Sequence, residues 1–298
     1  MGHTAAKQTK RRVATVGTFD GLHRGHRRVI STVKSEALAR GLEPLVISFD
    51  RHPLETIAPE RAPRLIQSPS ERTNTLFNEG MAFLTLEFTS LLASMTVEQW
   101  LRDIHDNHGV DVLVVGYDNT FGCDGTGMNI ADYRRLAAPI GIEIVEAPYE
   151  PKAASSAIRK LLAEGNIAEA NHLLGRQFAI TGEVVTGKKI GASIGFPTAN
   201  ISPSYKAQLP KEGVYAVDVV MPDGTISRGV ANIGRQPTVA DNAPLRLEAH
   251  IPGFSGNLYG ERLTLKFLAH LRDERKFDSV GSLKKQIAED IDTAKSII

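Results

Sequence analysis

Short apolar runs alternate with helical stretches through the first half of the chain. The runs at 13–16, 44–49, 81–88, 110–115 and 142–147 read as buried strands, and 28–40, 70–78, 96–105 and 130–140 carry helical spacing. Ser70 and Thr96 stand where N-caps are wanted. This alternation predicts an α/β arrangement, a parallel sheet with helices on both faces, and such sheets take ligands at the carboxyl ends of their strands. The segments 17–26, 49–53 and 116–122 each follow a strand and are expected to converge on one cleft.

Two short helical segments, 155–162 and 167–174, come next, and Gly175 closes the second. Beyond it the texture changes. Strand-like runs at 178–185, 214–221, 226–233, 245–251 and 263–268 are separated by turn signals such as Pro222-Asp223-Gly224 and the stretch from Gly253 to Gly256. They predict a small antiparallel barrel. A charged terminal helix over 282–296 lines up Leu283, Ile287, Ile291 and Ala294 on one side and is expected to pack on that barrel. The expected domains are therefore 1–174 and 175–298.

Composition narrows the class without adding chemistry. The chain has 298 residues, 42% hydrophobic and 23% charged, with a formal net charge of +1; that is an ordinary globular balance, long enough for two cores. It lacks the basic excess that marks a nucleic-acid partner, and the positive charges from Lys7 to Arg12 read as a solvated tail. No apolar stretch approaches a membrane span or a signal segment, so no membrane partner is expected. Cys123 is the single cysteine, which excludes an intramolecular disulfide and points to the cytoplasm.

The candidate chemistry starts at Gly17-Thr18-Phe19-Asp20-Gly21-Leu22-His23-Arg24-Gly25-His26. Two histidines three residues apart sit where a strand turns into a helix N-terminus, where backbone amides and the helix dipole favour an anion. Glycines let the backbone approach a ligand, and imidazoles can donate to phosphate oxygens. The arrangement suits a nucleotide whose α-phosphate is under attack.

Further motifs follow in order. They are Phe49-Asp50-Arg51-His52-Pro53, Gly116-Tyr117-Asp118-Asn119-Thr120-Phe121-Gly122 and Ser155-Ser156-Ala157-Ile158-Arg159. After these come Gly195-Phe196-Pro197-Thr198-Ala199-Asn200, Gly213-Val214-Tyr215-Ala216, Ala231-Asn232-Ile233-Gly234 with Pro237-Thr238, and Glu248-Ala249-His250. Leu258-Tyr259-Gly260 and Leu271-Arg272-Asp273-Glu274 with Phe277-Asp278 complete the set. Over about residues 12–298 the chain resembles the prokaryotic bifunctional FAD synthetases, in which riboflavin kinase and FMN adenylyltransferase share one polypeptide.

The resemblance implies a Rossmann-like nucleotidyltransferase domain followed by a riboflavin kinase barrel. It implies that His23, His26 and Arg159 serve adenylyl transfer and that Glu248 is the kinase base. It assigns ATP to Gly17, Phe19, Gly25, Ser155, Ser156, Gly187, Lys188 and Gly191. It assigns flavin to His52, Asp118, Asn119, Phe121 and Arg272, and Mg²⁺ to Thr198 and Asn200. The implied substrates are ATP, riboflavin and FMN, with FAD as final product, acting in a monomer or weak homo-oligomer. Two alternatives stay open: a riboflavin kinase with weak or absent adenylyltransferase activity, and a flavin-binding regulatory protein.

Overall fold

Strands β1 (Arg12–Val16), β2 (Glu43–Phe49), β3 (Ala82–Leu86), β4 (Val110–Val115) and β5 (Glu143–Glu146) form one sheet in the order β3-β2-β1-β4-β5, every pair parallel. The computed structural model describes residues 10–117, 119–187, 190–235 and 245–297. Its contacts divide the chain into two units, one holding residues up to 63 with 69–151 and the other 64–68 with 152–298.

In the first unit the three central strands, β1, β2 and β4, are buried on both faces, which is why they read as continuous apolar runs. Ala14, Ile47 and Leu113 face Trp100, Leu101 and Ile104 of helix Val97–His108. Val13, Val46 and Val112 face Ile30, Val33 and Ala37 of helix Arg24–Arg40. Thr96 caps its helix as expected. Ser70 does not: that helix starts one residue earlier, at Pro69, whose missing N–H costs nothing in a first turn. The 130–140 segment is an α-helix only to Ala137 and then tightens into a 3₁₀ turn over Ala138–Ile140, which contains Pro139. Helices Pro53–Ile57 and Ser90–Ser94 are too short to show a period in sequence. Strand order reverses at β1 and β4, so the crevice beyond their carboxyl ends is the place for a ligand.

The second unit is a closed antiparallel barrel of β6 (Phe178–Val185), β7 (Thr198–Ser202), β8 (Gly213–Val220), β9 (Ile226–Arg235), β10 (Leu245–His250) and β11 (Arg262–Arg272). The strand order is β10-β7-β6-β11-β8-β9, with β9 paired back to β10. Strand β7 is absent from the sequence expectation, because Thr198, Asn200 and Ser202 mask its single buried apolar residue, Ile201. The barrel core gathers Phe178, Tyr215 and Phe267. It also takes Ile158, Leu162, Leu173 and Leu174 from helices Ser155–Ala163 and Ile167–Leu174. Residues 64–68 join this unit: Leu65 N–H donates to Lys206 O (2.8 Å), Gln208 N–H donates to Leu65 O (2.8 Å), and Ile66 enters the core.

The terminal helix, Val280–Ser296, packs Ile291 and Ala294 on Val214, Ala216 and Val230 at the barrel exterior. Leu283 and Ile287 line a cavity of about 680 Å³ beside them.

Candidate active sites

The turn after β1 is built from backbone that few residues tolerate. Phe19 (φ 49°), Gly21 (φ 86°) and Leu22 (φ 44°) all have positive φ. For Phe19 and Leu22 this costs energy, and burial holds them there, at 3% and 0% exposure. His23 caps the following helix: its Nδ1 accepts from the His26 amide at 3.3 Å. That bond leaves the ring proton of neutral His23 on Nε2, where it can be donated. The His23 and His26 rings stack at 3.6 Å and 21°, and the buried Phe19 ring meets His26 edge-on at 5.1 Å. Gly25 in the first helical turn puts no side chain over the backbone.

Two further residues hold this loop. Asn119 Nδ2 donates to Val16 O at 3.0 Å, tying the turn after β4 to the end of β1 across the switch point. Arg72, 5% exposed, donates from Nη1 to Thr18 O at 2.7 Å; burial pushes its guanidinium below the ordinary range, partly offset by Asp20. Sequence reading missed Arg72. The available signal was its spacing of four from the buried Leu76, which puts a cation on a helix's inward face.

The other expected residues of the first unit are placed as follows. Gly17 donates its amide to Ile47 O at 3.1 Å. His52 caps helix Pro53–Ile57, its Nδ1 accepting from Leu54 N–H (3.2 Å) in a capping box with Glu55. Asp50 accepts the Phe88 amide at 2.9 Å and pairs with Arg51 at 2.7 Å. Phe121 packs between Trp100 and Tyr133, each 4.7 Å away between ring centroids. Asp118 lies outside the described residues.

Ser155, Ser156 and Arg159 belong to the second unit. They stand on helix Ser155–Ala163, whose N-cap, Ala154, provides no side-chain cap. Arg159 Nε donates to Arg64 O at 2.8 Å.

The barrel site is set by strand register. Glu248 on β10 lies opposite Asn200 on β7 and Asn232 on β9. Leu247 and Ala249 point into the core, so Glu248 and His250 face outward, into the cavity under the terminal helix. Thr198 Oγ1 donates to Glu248 Oε2 at 3.0 Å. A Cβ on Gly187 would run into the Asn200 amide group, and one on Gly191 into Phe196 O, so both glycines keep backbone close to the site. Lys188, Pro237 and Thr238 lie outside the described residues.

Arg272 also lines the cavity, but its charge is engaged by Asp290. Sequence reading missed Asp290, although a carboxylate within the stripe of Ile287, Ile291 and Ala294 signals a buried partner. Among the described residues no group of three or more His, Cys, Asp or Glu could hold a metal. Thr198 and Glu248 bring oxygens within hydrogen-bond distance of each other, and Asn200 pairs with Glu248 in the strand register.

A model of the FAD synthetase family matches residues 5–157, and a model of the riboflavin kinase family matches 174–298. Two curated bacterial proteins named bifunctional riboflavin kinase/FMN adenylyltransferase align almost end to end. The one from Pseudomonas fluorescens is 35% identical over 96% of this chain and 92% of its own length. The one from Escherichia coli K12 is 36% identical over 95% and 91%. The chain belongs to this bifunctional family.

A crystal structure described as a macrolide-efflux protein from Streptococcus pneumoniae is 31% identical, covers 96% of this chain and 94% of its own, and superposes with a TM-score of 0.86. That efflux description stays with that protein. Among the described residues here, no helix is long and apolar enough to cross a membrane.

Proposed function

We propose that the chain makes FAD from riboflavin in two ATP-dependent steps, one in each family-matched half. The observation that carries this reading is the pairing of site with match. The histidine-capped turn falls inside the FAD synthetase match, and the Glu248 register site falls inside the riboflavin kinase match.

In the adenylyl step, a phosphate oxygen of FMN attacks the α-phosphorus of ATP and pyrophosphate leaves. No protein nucleophile is required; the site has to align two anions and neutralise the charge that builds on them. His23 Nε2–H and the His26 ring supply donors at a helix start, and the Phe19 ring fixes the orientation of His26. Asn119 holds the two strand ends that frame the crevice. Ser155, Ser156 and Arg159 are carried into phosphate binding, and His52, Asp118 and Phe121 into flavin binding, by the family motifs.

In the kinase step, the 5′-hydroxyl of riboflavin attacks the γ-phosphorus of ATP and Glu248 takes the proton. Thr198 orients Glu248 through its 3.0 Å hydrogen bond. Thr198 and Asn200 are the residues that would hold Mg²⁺, which when bound neutralises phosphate oxygens. Gly187, Lys188 and Gly191 are carried into nucleotide binding by the family motifs. The single cysteine fits a cytoplasmic setting.

The test is incubation of the purified chain with riboflavin, ATP and Mg²⁺, followed by chromatographic separation of flavins. FMN appearing first and FAD second is the expected result. FMN alone would leave a kinase without the second step, and neither product would overturn the reading.

A further inference from the structure

At one end of the barrel cavity a carboxylate and a guanidinium are locked together. Asp290, on the terminal helix, is 5% exposed. Arg272 Nε lies 3.0 Å from each Asp290 oxygen, and Nη2 lies 2.8 Å from Oδ2. Gln286 Nε2 donates to Asp290 Oδ1 at 3.0 Å, and Arg272 Nη1 donates to Asp273 O at 3.2 Å. The Arg272 guanidinium carbon sits 5.7 Å from the centroid of the Phe277 ring.

This arginine is therefore not a free cation awaiting a phosphate. Its charge is matched by a buried carboxylate, and its hydrogen-bonding edge is spent on that carboxylate. What it still offers the cavity is a flat, polarisable face, which stacks well on a planar ring system. The same cavity is walled by Phe196, Val214 and Val230 and has the volume of a small-molecule site. Of the two kinase substrates, only riboflavin is both uncharged and built on a large flat ring.

We propose that Asp290 is a positioning residue for riboflavin: it neutralises Arg272 and fixes its plane as a wall for the isoalloxazine ring. The proposal rests on the kinase reading of the barrel. A wild-type chain that forms no FMN would sink that reading before any variant is compared.

The experiment measures riboflavin affinity by quenching of flavin fluorescence, and the KM values for riboflavin and ATP, in the full-length chain. Asp290→Asn should weaken riboflavin binding by about ten-fold or more, equivalent to about 1.4 kcal/mol. The loss should fall on KM for riboflavin, rather than on kcat or on KM for ATP. Asp290→Glu should recover part of it. Arg272→Lys keeps the charge but loses the plane, and should bind riboflavin as poorly as Arg272→Met. The double variant Arg272→Met/Asp290→Leu should be no weaker than Arg272→Met alone, because Asp290 acts through Arg272.

Should Asp290→Asn fail to fold, the Arg272→Lys and Arg272→Met pair still decides. Riboflavin affinity in Arg272→Lys near that of wild type would overturn the flat-wall role. So would losses that add in the double variant, or a rise in KM for ATP matching that for riboflavin.

Discussion

The two candidate sites are built by opposite routes. The histidine site comes from ten consecutive residues, Gly17 to His26, and depends on strained local backbone: positive φ at Phe19 and Leu22, and a helix capped by an imidazole. The barrel site has almost no local character. Thr198, Asn232, Glu248 and Arg272 come from four strands and meet because the register places them there. A turn site can be carried by a motif, whereas a register site exists only when the whole barrel closes. The first should therefore be sensitive to single side chains on its loop, and the second to anything that loosens the barrel.

The largest expected effect is on that closure. Ile158, Leu162 and Leu173, with Leu174 at the first position of the family-matched kinase segment, complete the barrel core from two helices that precede the barrel. Burial of each such side chain is worth about 1.5–3 kcal/mol. A fragment of residues 175–298 should therefore melt far below a fragment of 152–298, or not fold at all, by thermal circular dichroism. Equal melting temperatures would show that the two helices are ornaments to the barrel.

Next in size is the proposed kinase base. Glu248→Gln keeps the shape and the Thr198 contact partner but cannot take a proton at neutral pH, so riboflavin phosphorylation should fall roughly 10²–10⁴-fold. An unaltered rate would return Glu248 to the role of an ordinary strand residue.

His26→Ala removes one donor from the turn site. FAD formation from FMN should drop by about 10²–10³-fold, the measured scale for one lost donor to developing charge. A loss under about three-fold would mean that the stacked pair is structural rather than chemical.

The smallest effect concerns the helix that carries Ser155 and Arg159. Its N-cap is Ala154, with no side-chain bond. Ala154→Ser should add about 1 kcal/mol of stability, read as a small rise in denaturant midpoint. No shift would indicate that the helix start is already satisfied by other groups.

The same contrast governs what the sequence disclosed. The parallel sheet was legible because its central strands are apolar on both faces, and the turn motif because its residues are adjacent. The antiparallel barrel was legible from its turns, such as Pro222-Asp223-Gly224, where Asp223 accepts from Thr225 N–H at 2.9 Å. Strand β7 was hidden by its polar residues. The insertion of 64–68 beside 206–208 has no local signature, since a single parallel bridge at Leu65 and Ala207 carries it.

At the sites, His23, His26, Thr198 and Glu248 were legible as motif residues. Their supports were not. Arg72 and Asp290 are charged residues on inward helix faces, and what makes them important is a partner 54 residues away in one case and 18 in the other. His52 was legible as a site residue, while its capping bond emerges only from the geometry.

The central claim is that two separate sites act in sequence on one flavin. The most direct measurement is a crossed assay, in which His26→Ala and Glu248→Gln are each given riboflavin and, separately, FMN, with ATP and Mg²⁺. His26→Ala should turn riboflavin into FMN that accumulates, and should fail to convert FMN to FAD. Glu248→Gln should leave riboflavin untouched yet convert supplied FMN to FAD at the wild-type rate. Either substitution lowering both reactions by the same factor would contradict the account.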